Sequence, residues 1–190
     1  MAYRFFIDAA LRKSGVVIFN ENTIVDLLVF KYKPEFSGLD FFTIDKHKSF
    51  LIEEFSKLRD KYKIKRVDLA YIEADVFGFR KGGFKNKEIM TIIRLNYAFA
   101  LQKVFSINSK SIKFIPANIW KRALLGNSHL QKSKYRTFVL EKIQEITKSR
   151  VDRNISHDIV DALAIFLYYH KISCPDCETD LSFFENIDVE

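Results

Sequence analysis

Two aspartates, Asp158 and Asp161, stand one helical turn apart in the stretch SHDIVDALAIFLYYH, residues 156–170. Ile159, Val160, Leu163, Phe166 and Leu167 recur there at helical spacing, which predicts an amphipathic helix with Ser156 as its N-cap. A spacing of three places both carboxylates on one side of that helix, with their Cβ atoms about 5–6 Å apart. Asp158, in a first turn, is accounted for by the helix dipole alone. Asp161 is not: Ala162, Leu163 and Ala164 follow it at once, and unpaired acids are rarely buried. Two more acids close apolar runs, Asp8 in YRFFID and Glu73 in RVDLAYIEA. Either alone also reads as a surface acid at a strand end, but the same placement three times over argues for a shared site. Clustered carboxylates repel and raise one another's pKa unless a cation offsets them. A hard divalent ion, Mg²⁺ or Mn²⁺, takes oxygen ligands and is the natural offset. Two such ions roughly 4 Å apart activate a water and stabilise the leaving oxygen of a phosphodiester.

The elements that must position these acids follow from periodicity. Strands are expected over Tyr3 to Ile7, Ser14 to Asn20 and Thr23 to Tyr32, the last two joined by a short hairpin at Asn20, Glu21 and Asn22. An amphipathic helix follows in DKHKSFLIEEFSKLRDKYK, with Phe50, Leu51, Ile52, Phe55 and Leu58 as its apolar stripe. RVDLAYIEA is a fourth strand, the segment from Glu88 to Ser106 a long helix, SIKFIPAN a fifth strand, and WKRALLG a short helix or loop. A basic helix and the acid-bearing helix complete the order. This predicts an α/β fold, a mixed five-stranded sheet covered by helices on both faces. Neighbouring first and fourth strands would bring Asp8 beside Glu73.

The 190 residues are 48% hydrophobic, enough for one sizeable core, and residues 1–172 read as one domain with an acidic tail over 173–190. The net charge of +7 suggests a polyanionic partner, most often nucleic acid. No apolar run reaches the roughly 18–20 residues that span a bilayer, and the N-terminal stretch carries Asp8 and lacks a cleavage site, so no membrane association is expected. The only two cysteines, Cys174 and Cys177, make no disulfide framework, which fits an intracellular protein. With His170 they offer three zinc ligands where a closed site needs four, so two reduced cysteines are expected instead.

Basic residues gather in two places. FGFRKGGFKNK interleaves Phe77, Phe79 and Phe84 with Arg80, Lys81, Lys85 and Lys87, a pattern suited to phosphates and splayed bases. WKRALLGNSHLQKSKYR carries Lys121, Arg122, Lys132, Lys134 and Arg136. A lysine near a scissile phosphate would stabilise the transition state, and Lys132 and Lys134 are the candidates, with Lys134 placed among the catalytic residues. In each case a solvated helix face or loop is the bland alternative.

Taken in order, RFFIDAALRKSGVVIF, DLAYIEADVF, FIPANIWKRALLGNSHLQKSKYRTFV and SHDIVDALAIFLYYH resemble the RuvC-type Holliday-junction resolvases, a branch of the RNase H-like nucleases. The likeness runs from Tyr3 to about Lys171 and is that of a divergent, viral or organellar member. The resemblance implies an RNase H-like fold and a metal site of Asp8, Glu73, Asp158 and Asp161, with His157 a second candidate beside Asp158. It implies Mg²⁺ or Mn²⁺, a water nucleophile, and 5′-phosphate and 3′-hydroxyl products. It also implies a homodimer formed through the helix after Glu73, symmetric cutting of four-way DNA junctions, and an aromatic wedge at Phe77 or Phe79. Its location would be wherever that DNA is: cytoplasm, nucleoid or organelle. The family's glycine-rich turn after the first aspartate is missing, since DAALRKSG has glycine only at Gly15. Three alternatives stay open: an RNase H-like nuclease acting on other branched or hybrid substrates, a non-catalytic DNA-binding protein on the same fold, and a membrane-surface or protein-interaction domain.

Overall fold

A computed structural model describes residues 3–21, 23–34, 41–74, 84–126, 132–147, 151–152 and 154–173. β1 (Tyr3–Asp8), β2 (Lys13–Asn20) and β3 (Thr23–Lys31) form an antiparallel meander. α1 (Phe41–Tyr62) leads to β4 (Val67–Ala74), and α2 (Phe84–Phe105) leads to β5 (Ile112–Pro116). α3 (Ala117–Leu125), α4 (Lys132–Thr147) and α5 (His157–Ser173) complete the chain. The sheet order is β3-β2-β1-β4-β5, with β4 parallel to both β1 and β5. The mixed five-stranded sheet expected from the sequence is therefore present, and β1 and β4 are neighbours.

Two elements start earlier than periodicity suggests. α1 begins at Phe41 rather than Asp45, and α2 at Phe84 rather than Glu88. The early turn of α2 is lysine- and asparagine-rich and looks like loop, but it holds no glycine or proline to stop a helix. Phe84, Lys85 and Lys87 thus belong to α2.

Strand alternation sorts the core into two layers. Phe5, Ile7, Val16, Ile18, Ala70 and Ile72 face α1 and α2, whose Leu51, Phe55, Ile93, Tyr97 and Leu101 are buried against them. Phe6, Val17 and Phe19 face the other way, toward α3, α4 and α5. There Phe166 of α5 stacks on Phe19 at 3.8 Å between centroids and meets Phe6 edge-on at 5.3 Å. α5 is buried from Ile159 to Leu167 except at Asp161, so its middle turns are apolar nearly all round. That is wider than the stripe read from the sequence, because α5 is sandwiched between the sheet and its neighbours α3 and α4.

On the opposite face, His47 of α1 is fully buried among Tyr32, Phe50 and Tyr97. Its Nδ1 lies 3.5 Å from Nδ2 of Asn96, and its Nε2 has no partner among the described residues. Burial pushes the imidazole pKa from 6.5 down to about 4. The unfolded chain takes up this proton near pH 6.5, the folded chain only near 4. The contribution is therefore intact above pH 6.5 and lost as pH falls toward 4, by up to about 3 kcal/mol. Urea unfolding of His47→Leu between pH 7 and pH 4 is expected to show a shallower loss of stability than wild type, and parallel curves would contradict this assignment.

Candidate functional site

Asp8 is the last residue of β1, and period-two alternation puts it on the face that carries Phe6. Glu73 of β4 shares that face with Tyr71, which stacks on Phe6 with centroids 6.0 Å apart. Phe6 pairs with Tyr71 and Ile7 with Ile72, so the two acids leave the sheet at adjacent strand ends. α5 crosses β1 and β2 on this same face and begins directly over them. Asp158 and Asp161 in its first turns thus join Asp8 and Glu73.

What lets α5 come so close is Gly15. It pairs with Asp8 across β1 and β2. A Cβ at position 15 would lie 1.9 Å from the carbonyl oxygen of Asp158 and 2.8 Å from the amide nitrogen of Ile159. No side chain fits there, and the obstruction is backbone that cannot rotate aside.

The four acids share one electrostatic field. Asp8 is pushed up to about 8, first by burial and then by the negative charges of Glu73, Asp161 and Asp158, with Lys121 opposing. Burial also raises Glu73, against the pull of Lys121, and raises Asp161 against a hydrogen bond from Tyr135 and the charge of Lys121. Asp158 goes the other way: burial would raise it, but hydrogen bonds from Ser156 and Lys13 outweigh burial and hold it below the usual carboxylate value.

Three of the acids are also held by side chains. The indole Nε1 of Trp120 donates to Oε2 of Glu73 at 3.2 Å, and the ammonium of Lys121 lies 4.8 Å from the Trp120 ring centroid. The Tyr135 hydroxyl donates to Oδ1 of Asp161 at 2.7 Å. Ser156 donates to Oδ2 of Asp158 at 2.8 Å, and Lys13 pairs with the same oxygen at 3.0 Å. Ser156 was expected to cap α5 through its side chain. Its carbonyl does accept the amide of Val160, while its hydroxyl turns to the Asp158 carboxylate instead.

The donor set, four carboxylates with no thiol among them, has the chemistry a hard divalent ion requires. Among the described residues, however, no three His, Cys, Asp or Glu side chains are arranged to hold an ion as they stand.

The basic residues divide. Lys121 and Arg122 are exposed on α3, and Lys121 is the lysine whose charge reaches Asp8, Glu73 and Asp161. Lys134 is exposed on α4, and Lys132 is the first residue of that helix. Arg136 donates from Nη1 to the Ile155 carbonyl at 2.7 Å, tying α4 to the approach to α5. His157 is exposed beside Asp158, and its charge reaches Asp161. Lys85 and Lys87 lie in the first turn of α2. Phe77, Phe79, Arg80, Lys81, Cys174 and Cys177 lie outside the described residues. Sequence reasoning missed Lys13, Trp120 and Tyr135 as partners of the acids. Trp120 carried the one available signal, as the chain's only tryptophan, four residues past the last strand.

No protein-family model and no curated protein matches the chain in sequence. Solved structures do match it in shape. The fold is RNase H-like and, more narrowly, RuvC-like. Thermus thermophilus RuvC in complex with a Holliday junction substrate superposes with a TM-score of 0.61 at 11% identity, over 90% of this chain and 96% of that one. A second Thermus thermophilus RuvC structure gives 0.60 at 13% identity over the same shares. No described helix is long and apolar enough to cross a membrane.

Gly15→Ala is expected to force α5 off the sheet. Overpacking of this kind costs about 1–3 kcal/mol, or a fall in Tm on the order of 5 °C for a chain of this size. Calorimetry on the variant checks it, and an unchanged Tm would show that the close approach is not required.

Proposed function

We propose that this protein is a structure-selective endonuclease that resolves four-way DNA junctions by metal-dependent phosphodiester hydrolysis as a homodimer. The observation that carries this is the convergence of Asp8, Glu73, Asp158 and Asp161 at one end of a RuvC-like sheet, with Lys121 the lysine whose charge acts on Asp8, Glu73 and Asp161. An acidic centre rimmed by the exposed bases Lys121, Arg122 and Lys134 suits a polyanionic substrate that must meet bound cations.

On this reading the four carboxylates would hold Mg²⁺ or Mn²⁺, which when bound supplies a nucleophilic water and stabilises the charge on the leaving oxygen. The chain's own side chains prepare the site. Tyr135 holds Asp161 through Oδ1 and Trp120 holds Glu73 through Oε2, which limits the rotation of each acid and leaves its second oxygen unused by that bond. Burial leaves Asp8, Glu73 and Asp161 strongly dependent on positive charge. Lys121 is placed to meet the charge that grows on a phosphate during its displacement. Lys134, exposed two residues after Lys132 on α4, stays the second candidate for that role.

The homodimer reading is supported by α2. Ile92, Leu95 and Phe99 recur on one outer face at 38%, 52% and 46% exposure, a stripe that the core does not cover. Its helix is the one that the resemblance assigns to the interface.

Two measurements test these statements. A synthetic four-way junction with Mg²⁺ or Mn²⁺ should receive paired symmetric nicks from wild type. Asp161→Asn should lose about 10²-fold or more of that rate while still binding the junction. Binding without cleavage in either metal would favour the non-catalytic reading, and equal cutting of linear or hybrid substrates would remove the junction from the proposal. By light scattering, wild type should run as a dimer and Leu95→Glu/Phe99→Glu as a folded monomer. A wild-type monomer would overturn the interface.

A further inference from the structure

Lys13 is the one charged side chain outside the predicted acid set that binds an acid of the centre through an ion pair among those described. It begins β2 and, two residues before Gly15, lies on the face that α5 covers. Its ammonium is 3.0 Å from Oδ2 of Asp158. We propose that Lys13 is a resident counter-ion, occupying the cation position at Asp158 until a divalent ion displaces it. This inference rests on the metal-dependent reading of the same site.

Three features separate this contact from an ordinary surface ion pair. First, the Gly15 contact holds the Asp158 backbone against β2, which keeps its carboxylate within reach of Lys13. Second, Lys13 and Lys31 are directly paired across β2 and β3, a like-charge arrangement that disfavours the sheet unless an acid draws one of them away. Asp158 is that acid. Third, the contact is exchangeable. The Lys13 side chain is 50% exposed and that of Asp158 24%, so the ammonium can return to water at little cost. Trp120 on Glu73 and Tyr135 on Asp161 have no such exit, since both rings are buried.

With Oδ2 of Asp158 engaged by both Ser156 and Lys13, that carboxylate is turned toward β2. Loss of the Lys13 contact releases one lone pair of that oxygen without moving α5. Lys13 therefore acts as a positioning residue, setting how strongly a metal must compete for Asp158.

The chain's single tryptophan gives a direct readout, because its indole is hydrogen-bonded to Glu73. Mn²⁺ added to the metal-free full chain should quench Trp120 emission, with free Mn²⁺ counted in parallel by electron paramagnetic resonance. Lys13→Met is expected to bind Mn²⁺ about three- to fivefold more tightly than wild type. Lys13→Arg, which keeps the ion pair, should stay close to wild type. Lys31→Met removes a neighbouring positive charge that does not touch Asp158 and should also leave affinity nearly unchanged at physiological salt. Equal or weaker binding by Lys13→Met overturns the proposal, as does a Lys31→Met effect of the same size, which would reduce Lys13 to part of a general field. If wild type and all variants show no saturable Mn²⁺ binding, the metal reading itself fails and takes the proposal with it. Equal binding across variants that do bind leaves the metal reading standing.

Discussion

The backbone contact between Gly15 and Asp158 is the constraint from which the rest of the centre follows. A helix can lie on a sheet at ordinary side-chain distance anywhere, but α5 must start where its first-turn acids stand beside a strand-end acid. Gly15 is paired with Asp8, so the one place where α5 touches bare backbone is opposite the acid it must join. Further along, the spacing opens to accommodate Val17 and Phe19, and Phe166 stacks on Phe19 as the ring that fills the gap. The helix is thus pinned close at its acidic end and propped by aromatic rings along its length.

Such a centre is costly to fold. The unfolded chain ionises Asp8 near the ordinary 3.8 and the folded chain near 8. Its contribution is favourable below the unfolded value and is lost as pH rises through the folded one, when the carboxylate must carry charge beside three others. The structure answers by giving each of the other acids a different companion. Glu73 has an indole N–H, Asp161 a phenol and Asp158 a hydroxyl with an ammonium. Asp8 depends on the charge of Lys121 alone among its recorded attractions. The acid with the least local support is also the most perturbed.

Much of this was legible in the sequence because it rests on period and order. YRFFID and DLAYIEA each alternate so that the closing acid falls on a definite face, and the hairpin read between the second and third strands gives their antiparallel pairing. The parallel β1–β4 pairing follows once α1 is read as a crossover. The companions were not legible. Tyr135 reaches Asp161 across 26 residues and Trp120 reaches Glu73 across 47, and nothing in local spacing marks such pairs. Lys13 lay just before the strand read from Ser14, and its role depends on where Asp158, 145 residues later, comes to rest. Gly15 was visible, yet it read as a departure from a glycine-rich turn. Its function is steric and belongs to β2, where the missing Cβ makes room for another element.

The two sheet faces differ in how firmly they hold their helices, and this bears on function. The α1–α2 face buries His47 and Asn96 within an aromatic cage and ties Tyr97 to the turn after Asp8, through its hydroxyl on Ser14 at 2.5 Å. Ser14 in turn receives the Ala10 amide and donates to the Ala10 carbonyl. The turn that follows Asp8 is therefore braced from beneath by α2, the same helix whose outer face carries Ile92, Leu95 and Phe99. A partner seated on that stripe would press on α2 opposite Tyr97, the residue that steadies this turn. Association between two copies and the rigidity of the acidic centre would then be mechanically linked through one helix. On the proposed reading, a partner on α2 would sit behind the acidic centre, on the opposite face of the sheet, rather than at a sheet edge.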